Sequence, residues 1–71
     1  MNKKDLKLFG DRLRELRLEN NLTQQQLAEK INLSTNFIGM VERGERNTSI
    51  DKVFKLARVL NLSLKDFFKT L

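Results

Sequence analysis

Residues 22–44, LTQQQLAEKINLSTNFIGMVERG, decide how the chain folds, because they hold two complete sets of helix start and stop signals in one short stretch. Thr23 is a good N-cap, and Gln26 three residues later completes the spacing of a capping box. Leu27, Ala28 and Ile31 then supply one buried face, and Asn32 suits the left-handed conformation that ends a helix. Ser34 reads as the next N-cap, with Phe37, Ile38 and Val41 facing inward and Gly44 closing the second helix. The turn between them has room for only about three or four residues. The second helix is therefore held stiffly at a steep angle to the first, with its amino half projecting from the domain.

The same punctuation continues on both sides. Towards the amino end, Leu6, Phe9, Leu13 and Leu16 recur at spacings of three and four along a helix of about four turns. Asp5 lies near its start, and Asn20 and Asn21 near its end. Towards the carboxyl end, a polar loop from Glu45 to Thr48 leads to Ser49, the cap of a helix carrying Ile50, Val53, Phe54, Ala57 and Leu60, which Asn61 ends. Ser63 and Asp66 repeat the capping-box spacing and open a short last helix with Leu64, Phe67, Phe68 and Leu71. No stretch reads as a strand and there is no Pro. The expected fold class is all-α, about five helices forming one domain over 1–71.

Composition narrows the function classes. With 71 residues, a chain buries only roughly 60% of the surface its unfolded form exposes, too little for an elaborate catalytic cleft. Small scaffolds draw extra stability from disulfides, metals or self-association, and the absence of Cys and His leaves the last. No carboxylate cluster has metal-ligand spacing and the three Gly are scattered, so an enzyme is not expected, nor a cofactor, a metal or a small-molecule ligand. Lack of thiols fits a reducing cytoplasm and is equally compatible with export. The charged run Met1 to Gly10 is unlike a signal peptide, and no apolar stretch has transmembrane length, so a cytoplasmic protein without a membrane partner is expected. A net charge of +5, from 14 Lys and Arg against 9 Asp and Glu, makes polyanions the natural partners.

A stiffly projecting helix has the dimensions to enter the major groove of double-stranded DNA. Here the chain resembles the Cro/C1-type, or XRE, helix-turn-helix regulators over Phe9 to Phe68. The resemblance rests on a combination: Leu16-Arg17, Leu22-Thr23-Gln24, Leu27-Ala28, Ile38, Val41-Glu42-Arg43-Gly44, Arg46-Asn47, Ile50, and Leu60 to Leu64 before Phe67-Phe68. The Glu-Arg-Gly-x-Arg-Asn run and the terminal Phe-Phe are also similar to controller proteins of restriction-modification systems. Many members carry Gly where this chain has Asn32 and Asn61, and often Pro at Thr48, so the departure falls mainly on the loop before the fourth helix. The resemblance implies a compact lambda-repressor-like five-helix domain with its helix-turn-helix at 23–43. It also implies a transcriptional repressor or activator acting on an operator.

On the projecting helix, Ser34, Thr35, Asn36, Gly39 and Met40 lie opposite the apolar stripe. Carried over from the family, Thr35 and Asn36 reach base edges, with Ser34 and Met40 beside them. Asn suits a bidentate contact with adenine, and the Thr methyl can meet that of thymine. Gly39 either admits a closer approach or is drift, and Met40 offers apolar contact. Phe37 reads mainly as core. The resemblance assigns Gln24, Arg43, Arg46 and Asn47 to phosphates, with Arg17 as a further contact. It also pairs Arg17 with Glu42, whose expected burial demands a partner. Lys3, Lys4, Lys7 and Lys30 read as a solvated face.

Leu62, Leu64, Phe67, Phe68 and Leu71 are more apolar surface than one short helix buries on a small core. The segment 62–71 is thus the expected homodimer seam, which suits an inverted-repeat operator with half-sites one helical turn apart. The alternative class is a protein-interaction module, such as an antitoxin or a co-regulator subunit.

Overall fold

Every helix begins where a side chain accepts a backbone N–H that has no partner within the helix. In the computed structural model, which describes residues 1–69 and 71, these caps are Asn2, Thr23, Ser34, Ser49 and Ser63. They open α1 (Lys3–Glu19), α2 (Gln24–Lys30), α3 (Thr35–Glu42), α4 (Ile50–Val59) and α5 (Leu64–Phe68). Thr23 and Gln26 form the reciprocal capping box, bonding each other's backbone N–H at 3.0 and 2.8 Å. At N-caps such bonds are worth about 1 kcal/mol each.

The first four helices also end alike. Asn21, Asn32, Gly44 and Asn61 take φ of 58°, 57°, 75° and 59°. After each, the next residue's N–H returns to a carbonyl in the last turn: Leu22 to Arg17, Leu33 to Ala28, Glu45 to Met40 and Leu62 to Ala57. This is the Schellman arrangement, and Asn bears the left-handed conformation at three of its four positions. Tight endings of this kind are what keep the connections short.

The core gathers Phe9, Leu13 and Leu16 of α1 with Leu27, Ala28, Ile38 and Val41 of α2 and α3, closed by Val53, Leu56, Ala57 and Leu60 of α4. The wall between α1 and α3 is unusually thin. A Cβ on Gly10 would lie 2.6 Å from the Glu42 carbonyl oxygen and closer still to that of Val41, so only Gly fits there.

Three sequence expectations change. Ile50 and Phe54 are 67% and 43% exposed, whereas Leu56 is 1% exposed. At about 100° per residue the inward arc of α4 centres on Val53, Leu56 and Leu60, and Phe54 falls on its flank. Phe67, expected at a subunit seam, is fully enclosed in its own core, stacked on Phe9 with centroids 5.6 Å apart. Gly39, expected on the outer face, is buried. Thr70, within the 62–71 segment, lies outside the described residues.

Candidate nucleic-acid interface

The steep angle of α3 is fixed at a single buried carboxylate. Glu42, in the last turn of α3, is 3% exposed and accepts from Arg17 Nε at 2.6 Å, Arg17 Nη2 at 3.0 Å and Gln24 Nε2 at 3.1 Å. It thereby joins α1, α2 and α3 at one point. Arg17 Nη1 donates onward to the Leu22 carbonyl at 2.8 Å, in the turn before α2. A planar guanidinium meeting a carboxylate through two parallel bonds sets orientation as well as distance.

This geometry removes Arg17 from the phosphate contacts expected of it. Arg17 is 7% exposed, and all three guanidinium nitrogens already bond protein acceptors. Its role here is to satisfy Glu42 and hold the elbow.

From this anchor α3 runs back to an exposed amino end, where Ser34, Thr35 and Asn36 form one contiguous outward surface. Thr35 and Asn36 make no side-chain hydrogen bonds within the chain among the described residues. Ser34 has its hydroxyl oxygen on the Phe37 N–H at 3.0 Å, so it serves first as the cap. Met40, one turn further, is half-buried. Gly39 sits beneath Gln24 and Arg43: a Cβ there would meet Arg43 Nη1 at 3.0 Å and Gln24 Oε1 at 3.4 Å. Its lack of a side chain lets those two polar groups converge over the helix, a packing role that periodicity alone does not reveal.

The flanks are basic. Gln24 spends one amide proton on Glu42 and keeps the second. Arg43 Nε pairs with Glu45 at 3.1 Å, both side chains more than half exposed. An exposed pair of this type contributes no more than about 1 kcal/mol, so a phosphate can replace Glu45 readily. Arg46 stands over the Phe37 ring at 5.5 Å and Lys52, from the first turn of α4, at 4.9 Å. One aromatic ring thus gathers two cations beside the exposed end of the projecting helix. Asn47 accepts the Thr48 N–H at 3.0 Å, which shapes the loop. The Thr48 hydroxyl is buried with no hydrogen-bond partner.

Sequence reading missed two basic residues. Lys52 is reached only through the fold, because the loop doubles back to bring α4 over Phe37. Arg12 was detectable, since it lies one turn after Phe9 and one before Leu16 on the inward arc. It is 6% exposed, donates to the Phe67 and Asp66 carbonyls at 2.7 and 2.8 Å, and pairs with Glu15. Those contacts tie α1 to the carboxyl end of α5. On α4 and α5 the exposed apolar side chains are Ile50, Phe54 and Phe68, joined by Leu71 beyond the helix; Leu62 and Leu64 are half-buried against the core.

No group of His, Cys, Asp and Glu that could hold a metal ion occurs among the described residues, nor is any described helix long and apolar enough to cross a membrane.

Comparison with known proteins agrees with this geometry. The helix-turn-helix family HTH_3 matches residues 13–67. The control protein C.BamHI of Bacillus amyloliquefaciens is 38% identical over 60 residues, covering 83% of this chain and 74% of that protein. Among solved structures, the restriction-modification controller protein C.AhdI from Aeromonas hydrophila superposes with a TM-score of 0.86 at 43% identity, covering 92% of this chain and 98% of its own. The restriction-modification controller protein C.Esp1396I, solved as a tetramer in complex with its natural 35 base-pair operator, gives a TM-score of 0.82 at 32% identity, covering 92% and 86%.

Proposed function

Because this chain belongs to the helix-turn-helix family of the XRE type, we propose that it is a transcriptional regulator, repressor or activator, that binds double-stranded DNA in a sequence-specific manner. It is of the restriction-modification controller kind, works in the cytoplasm, and takes an inverted-repeat operator as a homodimer. The observation that supports this best is the pairing of a free, polar amino end on α3 with a rigid anchor at its other end. Thr35 and Asn36 point outward while Glu42 is locked to α1 and α2.

Thr35 and Asn36 read bases from the major groove, with Ser34 and Met40 at the edges of the contact. A bidentate Asn–adenine pair supplies about 1–3 kcal/mol of discrimination against other bases. Gln24, Arg43, Arg46 and Asn47 grip phosphates on either side, and Lys52, beside Arg46 on Phe37, joins them. These contacts fix register and supply the salt-dependent part of the affinity. One helix reads few base pairs, so two subunits about 34 Å apart along the duplex are required. The segment 62–71 supplies the seam through Phe68 and Leu71, with Leu62 and Leu64 behind them and Phe54 and Ile50 of α4 alongside. Phe67 supports the seam from within the core.

Selection of bound sequences from random duplexes at two salt concentrations tests this reading. An inverted repeat with half-sites about one helical turn apart is expected. Recovery of no common motif, or a motif without two-fold symmetry, contradicts it.

A further inference from the structure

The carboxyl ends of α2 and α4 meet around an open groove of about 340 Å³ lined by Lys30, Ile31, Asn32, Lys55, Arg58 and Val59. Its floor is apolar, with Ile31 6% exposed and Val59 half-buried, and its rim holds three cations and no acid. Among the described residues Lys7, Arg12, Arg17 and Arg43 have carboxylate partners, while other cations such as Lys3 and Arg46 are in no such pair, so it is the convergence of three cations on one recess that marks the groove. At the groove only Lys55 has one, Asp51, at 3.7 Å, and both are at least half exposed. A cation in the last turn of a helix complements its dipole, which accounts for Lys30 and Arg58 singly. That effect does not bring Lys55, a turn earlier, to the same recess, nor does it make the floor apolar.

We infer that this groove docks an acidic, amphipathic segment of a partner protein, an apolar side chain seated on Ile31 and Val59 with carboxylates meeting Lys30, Lys55 and Arg58. Charge complementarity and the mixed lining carry the choice of occupant. A phosphate backbone offers nothing to an apolar floor, and the carbonyl ends of two helices repel an anion that penetrates deeply while leaving the long cationic side chains free to reach one at the rim. The groove adjoins the turn into α3, Asn32 lying two residues before Ser34, and its chemistry does not depend on the proposed DNA-binding mode.

The peptide titration itself needs no DNA, and duplex DNA enters only as a control. The full-length chain, labelled with ¹⁵N, is titrated with a short peptide alternating Glu and Leu, and with the same peptide carrying Gln for Glu. Amide shifts at residues 30–32 and 55–59 with the acidic peptide are expected, fading as salt rises. A Lys30→Glu, Arg58→Glu variant should bind it about tenfold or more weakly, with Lys30→Gln, Arg58→Gln intermediate. Both variants should remain folded, melting somewhat below wild type because two helix ends lose their cations, and the Lys30→Gln, Arg58→Gln variant should keep the motif preferred by the wild-type chain. Equal binding of the Gln peptide, shifts confined to residues 34–47, shifts at the groove with duplex DNA, or no binding at all each overturns the inference. Failure of the DNA selection leaves this titration readable, so the two proposals fail separately.

Discussion

Replacing Glu42 with Ala removes the carboxylate on which three helices converge. Three hydrogen bonds disappear at once, from Arg17 Nε, Arg17 Nη2 and Gln24 Nε2. Arg17, left behind, is 7% exposed and its guanidinium has only the Leu22 carbonyl as a remaining acceptor. Stranding one member of a buried pair costs about 3–5 kcal/mol. At 71 residues the whole domain has only about 4–10 kcal/mol to lose. A change of about 4–8 °C per kcal/mol then lowers the melting temperature by about 12–40 °C. Thermal unfolding followed by far-ultraviolet circular dichroism reads this directly. The double variant Arg17→Met, Glu42→Leu removes both charges and should recover most of the loss, because apolar residues of similar size often replace a buried ion pair at little cost. The single variants Arg17→Met and Glu42→Leu together with this double variant form a cycle whose coupling isolates the pair. A drop below about 5 °C for Glu42→Ala, or a double variant no more stable than the singles, refutes the claim that this pair anchors the elbow.

Other perturbations follow from contacts of equal definition. Gly10→Ala sets a methyl group against the backbone carbonyls of Val41 and Glu42, and overpacking there should cost about 2 kcal/mol or more, read from the midpoint of urea unfolding; an unchanged midpoint contradicts the close approach of α1 and α3. Arg12→Leu strips the Phe67 and Asp66 carbonyls of their donors. Amide hydrogen exchange in α5 should then rise well above that in α2 and α3, whereas a uniform rise points to global destabilisation instead. Arg46→Ala should weaken binding to all duplexes alike and flatten the salt slope by about one unit. Asn36→Ala should instead relax the preferred motif at one position in each half-site, and an untouched motif removes Asn36 from base reading.

Much of the fold was legible because its signals are local. A Ser or Thr cap, an apolar stripe and a left-handed Asn each act within a few residues, so Thr23, Ser34, Ser49 and Ser63 locate the helix starts, and Asn21, Asn32 and Asn61 locate ends without glycine. What periodicity leaves open is which flank of an apolar stripe faces the core. Ile50 and Phe54 share the spacing of Val53 and Leu60, yet they fall outside the arc that α4 turns to the core. Phe67 and Phe68 are adjacent and chemically identical, yet one is enclosed by Phe9 and the other is 38% exposed. The register of Glu42 beside Ile38 and Val41 made its burial legible, resemblance alone supplied Arg17 as its partner, and Arg12 shows its inward register without naming the carbonyls it serves. The role of Gly39 and the cation cluster of Arg46 and Lys52 on Phe37 depend on residues brought together from separate elements. So does the groove between α2 and α4, which no linear pattern announces.

The claim on which the functional account turns is that the amino end of α3 lies inside the major groove. Intermolecular nuclear Overhauser effects between the chain and the duplex recovered by selection measure it most directly. The account predicts contacts from the Thr35 methyl and the Asn36 side chain to base protons on the major-groove edge, such as a thymine methyl or cytosine H5. Contacts from these residues to sugar protons alone, or duplex contacts arising from another face while Ser34 to Met40 stay silent, would contradict it.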